Sequence, residues 1–124
     1  TNSGANNVVS RFTTNWINCT FRNKDGVAFY NYGSSTSKLK KCTFISEKTS
    51  GGSAHAANIV DGASVVTFVN CDFEVADSTV NCIKANAAMD MKVANCSFDN
   101  STTPLSSNIT LNYLEADAYG NVTT

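Results

Sequence analysis

Proline occurs once in these 124 residues, at Pro104, histidine once, at His55, and arginine only as Arg11 and Arg22. Charge is scarce as well: 15% of the residues are Asp, Glu, Lys or Arg, and the formal net charge is -1. Without a basic excess there is no electrostatic footprint for DNA or RNA, so no nucleic-acid partner is expected. Long apolar runs are missing too. Stretches such as "GASVVTFVNC" fall far short of the roughly 20 residues that span a bilayer, which predicts a soluble domain with no membrane insertion. Glu and Lys are too sparse for long helices. The chain begins at Thr1 with neither an initiator methionine nor an apolar leader, and is read as a processed or excised product.

What is abundant is Asn, Thr, Ser and Gly, the vocabulary of short strands and turns. A hydrophobic content of 42% is ordinary for a folded protein, and the length suits a single domain over residues 1–124.

The clearest pattern is an internal repeat. "WINCTF", "LKKCTF", "FVNCDF" and "VANCSF" place Cys19, Cys42, Cys71 and Cys96 at spacings of 23, 29 and 25 residues. Unequal spacing around a fixed phrase is what a solenoid tolerates, because one coil can lengthen a loop without disturbing the stack. The residue three before each cysteine is apolar: Trp16, Leu39, Phe68 and Val93. Two after it stand Phe21, Phe44, Phe73 and Phe98, on the same strand face as the cysteine, while Thr20, Thr43, Asp72 and Ser97 between them face out. For Trp16 and Cys19 both to point inward, the chain must bend between them. Asn18, Asn70 and Asn95 sit at that bend, and Asn tolerates the left-handed conformation it requires.

Each repeat therefore reads as a short strand, a tight corner and a second strand, with a third strand after a looser loop. The third-strand candidates are residues 27–33, 56–62, 80–86 and 108–114. Stacked corner asparagines are expected to form an amide ladder, interrupted at Lys41, whose corner should be the loosest.

This phrase resembles the repeat of the right-handed parallel β-helix of the pectin-lyase-like superfamily. The resemblance covers residues 12–114 and implies an all-β solenoid of about four to five coils of about 25 residues, three short strands each, with residues 115–124 as a tail or inter-subunit segment. Members include polysaccharide lyases and hydrolases, epimerases, phage tailspikes, adhesins and inert stalks, so the resemblance carries architecture rather than activity. Their catalytic patterns do not transfer. There is no Asp-Asp pair, His55 sits in "SAHAA" rather than Gly-His-Gly, and both arginines lie in the first coil, away from Asp61, Asp72 and Asp77. No catalytic residue is carried over.

The cysteines invite a metal or disulfide reading. Without a C-x-x-C pair and with one histidine, zinc spacing is missing, and no metal or cofactor is expected. Stacked cysteines on neighbouring coils are close enough to approach one another, about 4.8 Å apart by ladder spacing, but the reading adopted is reduced, hydrophobe-like thiols, Cys82 included. Sequons occur at Asn18, Asn95, Asn100, Asn108 and Asn121, and at the first two a ladder role competes with glycosylation.

Glycan-contact candidates are Tyr30 and Tyr32, whose rings suit sugar stacking, and His55, in the longest loop, where a lone histidine is ordinarily exposed. Asp72 and Glu74 join them, two apart on one strand at about 7 Å, a spacing within the range of paired-carboxylate glycosidases that a solvated outer face explains equally well. The reading that follows is an extracellular, cell-surface or virion structural or adhesive module: a segment of a surface fibre, a phage tail fibre or spike, or a self-stacking filament. Its expected partners are further copies, end to end or as a trimer, or the rest of a larger fibre. The alternatives are a polysaccharide lyase or glycoside hydrolase, whole or in part, and a non-catalytic glycan-binding module.

Overall fold

A computed structural model describes residues 6–10, 13–32, 36–51, 54–60 and 62–113, the first of these segments by its backbone. The described residues form strands and no helix, so none of them crosses a membrane as a long apolar helix.

Three strand types alternate along the chain and stack into three parallel sheets. Sheet I holds β2 (Asn15–Ile17), β5 (Thr36–Lys40), β8 (Val65–Val69), β11 (Met89–Ala94) and β13 (Ile109–Tyr113). Sheet II holds β3 (Thr20–Asn23), β6 (Thr43–Ser46), β9 (Asp72–Val75) and β12 (Ser97–Asp99). Sheet III holds β1 (Asn6–Ser10), β4 (Val27–Asn31), β7 (Ala57–Ile59) and β10 (Ile83–Ala85). The molecule is thus an all-β parallel solenoid of about three turns. Counting phrases overstated the coils, because four corner phrases bound only three complete turns among the described residues.

Register follows the repeat. Trp16, Leu39, Phe68 and Val93 pair in line across sheet I, and Phe21, Phe44, Phe73 and Phe98 across sheet II. The four phenylalanine rings stack at centroid distances of 5.1, 4.8 and 5.2 Å with interplanar angles of 9, 9 and 13°. Those spacings track the strand separation of about 4.8 Å, so the ladder itself sets the ring contacts. Phe29 from sheet III and Phe68 from sheet I meet the column edge-on, 5.7 Å from Phe44 and 4.9 Å from Phe73 respectively. Phe29, Phe44, Phe68 and Phe73 are fully buried.

The corner between sheets I and II is a backbone device. Asn18, Lys41, Asn70 and Asn95 have φ of 55, 52, 52 and 51°. Each of the first three donates its N–H to the carbonyl before the next corner: Asn18 to Lys40 at 3.0 Å, Lys41 to Val69 at 2.9 Å and Asn70 to Ala94 at 2.8 Å. The expectation of a looser corner at Lys41 is therefore corrected. The main-chain bond at Lys41 matches those at Asn18 and Asn70, and the corner side chains are exposed at Asn18, Lys41 and Asn95 and half-buried at Asn70.

Residues 27–33, 56–62 and 80–86 do supply sheet III strands, as β4, β7 and β10. Residues 108–114 do not. β13 continues sheet I, with Tyr113 opposite Val93, and in sheet III only an isolated bridge joins Leu105 to Ile83. Pro104 precedes that bridge and cannot donate to a ladder, which limits pairing there to single bonds, Ile83 N–H to Pro104 O at 3.0 Å and Ser106 N–H to Ile83 O at 3.1 Å. The remaining tail residues, 115–124, lie outside the described residues.

Gly62 belongs to the turn leading into β8. A Cβ there would lie 2.7 Å from the carbonyl oxygen of Ala88, so the close approach of neighbouring coils requires glycine.

Candidate functional site

The repeat consumes its own motif. Each corner thiol is tied to the backbone of its own coil and, past the first, of the coil before: Cys42 Sγ donates to Lys40 O at 3.3 Å and Trp16 O at 3.6 Å, and Cys71 Sγ to Leu39 O at 3.3 Å and Val69 O at 3.4 Å. Cys96 repeats the arrangement with Phe68 O and Ala94 O, both at 3.5 Å, and Cys19 donates to Ile17 O at 3.4 Å. All five cysteines are free thiols; Cys42, Cys71 and Cys82 are buried, Cys19 and Cys96 half-buried.

Neighbouring thiols act on one another. Hydrogen bonding to Cys42 and Cys96, then burial, pushes the Cys71 thiol up. The bond shared with Cys71 holds Cys42 down, to about 7, and Cys96 below its ordinary value. Cys71 therefore keeps its proton when a neighbour loses one. Burial pushes Cys82 up to about 12. Among the described residues no three His, Cys, Asp or Glu side chains converge as metal ligands.

The remaining chemistry lies on the outer faces. On sheet III, Tyr30, Asn58 and Lys84 stand in register across three strands. Tyr30 and Tyr32 stack with centroids 6.2 Å apart and planes 14° apart, and Tyr32 is 45% exposed. Asn58, between Tyr30 and Lys84, is only 8% exposed, and its Oδ1 is buried without a hydrogen-bond partner.

His55 is not on the surface. It is 6% exposed and its Nδ1 lies 2.8 Å from Asn81 O, a contact in which the ring nitrogen must donate, since a carbonyl only accepts. The expectation of an exposed loop histidine is corrected: Ala54, His55 and Ala56, which lead into β7, are buried together.

Asp72 and Glu74 project from β9 on the exterior of sheet II, both exposed, and Asp72 Oδ1 accepts from Ser97 Oγ at 2.5 Å. They occupy a different face from the tyrosines, so the glycan candidates form two groups. Beside β9, Asp77 begins a turn in which its Oδ1 accepts from Thr79 N–H at 3.0 Å and Thr79 Oγ1 at 2.6 Å. Those bonds hold its carboxyl below the ordinary range.

Two surfaces emerge that motif reading passes over. On sheet I, Lys38, Lys40 and Lys92 lie on the exterior, and Asn15, Ile17, Lys38 and Lys40 line a cavity of about 260 Å³. At the last of the described coils Phe98, Thr103, Pro104, Leu105, Leu111 and Tyr113 line a cavity of about 390 Å³. The alternation in "TSKLK" signals outward lysines, but only cross-coil register shows which lysines share a face.

No family model matches the chain, and no curated protein or solved structure matches it either.

Proposed function

We propose that this chain is an extracellular structural or adhesive module of the pectin-lyase-like β-helix type, a segment of a cell-surface or virion fibre or filament whose copies stack end to end. The supporting observation is the apolar cavity at the last of the described coils, where Leu105 and Leu111 are half-buried and Tyr113 is 79% exposed beside Phe98, the last ring of the phenylalanine column among the described residues. Exposed strand edges and open apolar coil ends favour pairing with another copy. The repeat residues fill the interior and the corners, which suits a load-carrying stack more than a reaction centre.

The test is oligomeric state and particle shape. Concentration-dependent association in sedimentation velocity, with fibres or trimers in micrographs, is the expected result, and Tyr113→Lys should weaken it without unfolding the chain. A monomer at all concentrations overturns the reading, as would depolymerisation of an acidic polysaccharide lost in Asp72→Asn, which would mark an enzyme.

A second reading, a non-catalytic glycan-binding module, rests on the sheet III exterior. Stacked Tyr30 and Tyr32 offer a ring platform, and Lys84, in register with Tyr30 two strands away, adds a cation on the same sheet. Glycan-array binding without turnover, lost in Tyr32→Ala, supports it; array binding that survives Tyr32→Ala places the contact elsewhere.

A further inference from the structure

The charged residues of the solenoid divide by sheet. Outward from sheet I stand Lys38, Lys40 and Lys92, with Asp90 as the single opposing charge on those strands. Outward from sheet II stand Asp72, Glu74 and Asp99, and Arg22 on the same sheet is engaged by Glu47 at 2.9 Å. Three of the four strand charges on sheet I are thus cations, on β5 and β11, and three of the four on sheet II are anions, on β9 and β12.

We propose that the lysine-bearing exterior of sheet I docks laterally against the acidic exterior of sheet II of a second copy of this chain. Lys38 and Lys40 are two apart on β5, and Asp72 and Glu74 two apart on β9, so both pairs share a spacing of about 7 Å set by the strand rise. The cavity of about 260 Å³ lined by Asn15, Ile17, Lys38 and Lys40 gives incoming carboxylates a recess flanked by ammonium groups. Ile17 and Val65, 60% and 44% exposed on the same sheet, add apolar area at the contact. A formal net charge of -1 leaves little overall repulsion between copies. Because the two faces differ, each docked copy still presents its own free lysine face, and the contact propagates as an open lateral array.

This deepens the self-association reading by naming a second contact, and the two are separable by chemistry. Exposed ion pairs are individually weak and screened by salt, whereas the apolar coil end is not weakened by salt. Raising salt from about 50 mM to about 500 mM shortens the Debye length severalfold; the lateral association constant should fall by about two- to thirtyfold, the combined worth of two exposed pairs.

Charge reversal supplies the decisive arm, measured by sedimentation equilibrium in a Tyr113→Lys background that removes the end contact. Lys38→Glu/Lys40→Glu alone and Asp72→Lys/Glu74→Lys alone should each remain monomeric, because each then carries like charges on both faces. Mixing the two variants should restore association, since every face again meets its opposite. Association unchanged in either variant, no recovery on mixing, or a background protein monomeric at low salt would overturn the lateral contact. If instead Tyr113→Lys leaves assembly untouched while the charge variants abolish it, end stacking fails and the lateral contact stands. All the substituted side chains are exposed or half-buried, and circular dichroism of each variant checks that the fold is intact.

Discussion

Lys41 occupies φ 52°, a conformation that costs an ordinary side chain about 1–2 kcal/mol and that Asn tolerates better. Lys41→Asn should therefore stabilise the chain by up to about 1 kcal/mol, read as a rise in the denaturant midpoint at unchanged slope. Thiol burial gives a second expectation at this scale. The Cys82 pKa is raised, to about 12 in the folded chain, against about 8.5 for an unperturbed thiol. A raised value means the protonated thiol is favoured by folding, so its stabilisation is complete below about pH 8.5 and is lost as pH climbs toward the folded value. Melting temperature should fall over that alkaline range, and the fall should be shallower in Cys82→Ala. Alkylation of the native chain should reach Cys19 and Cys96 before Cys42, Cys71 and Cys82. For Asp77, Thr79→Ala should raise the carboxyl titration seen by NMR, because the bonds that depress it come from Thr79.

Among the elements, β6 and β9 carry the rings at the centre of the column. Phe73 is fully buried between Phe44 and Phe98, and Phe73→Ala should cost about 3–5 kcal/mol in equilibrium unfolding. Phe98 is only half-buried at the end of the column, so the same change there should cost less. Gly62→Ala should destabilise through the 2.7 Å approach to Ala88 O. Elements written by the corner phrase were legible in sequence, because an apolar position, a residue suited to positive φ and a Cys-x-Phe pair identify strand, corner and strand together. β13 was not. Tyr113 lies opposite Val93, but the positions after it that correspond to Cys and Phe hold Ala116 and Ala118, and an alignment made on cysteines passes over them. The burial of His55 was invisible for a related reason: the β6–β7 loop has no periodicity, and its course depends on what the neighbouring coil offers, here the Asn81 carbonyl. The lysine face needed pairing across coils, which alternation within one strand does not contain.

For the molecule as a whole, stability is shared between coils through contacts about one turn apart in sequence, so a change in loop length should be absorbed where a change in corner length is not. A short Gly-Ser insertion after Ser50, in the exposed part of the β6–β7 loop, should leave the far-ultraviolet spectrum and melting temperature nearly unchanged. One extra residue beside Asn70 should flip the following strand's side chains to the wrong face and prevent cooperative folding. The division of labour between repeated interior and variable exterior also explains why fold was more readable than site. Interior positions recur four times and reinforce one another, whereas each outward residue is written once.

The phenylalanine column has a further consequence for how the chain finds its structure. Its rings present nearly the same surface on every turn, so nothing in the column tells a folding strand which neighbour is its own. That information resides in the loops, whose lengths make the cysteine intervals 23, 29 and 25 residues. Unequal loops act as an address: a strand that skips a turn leaves its connection too short or too slack. A variant with all three intervals made equal should refold more slowly and exchange coils between chains at high concentration, although every native contact in the column would still be available to it.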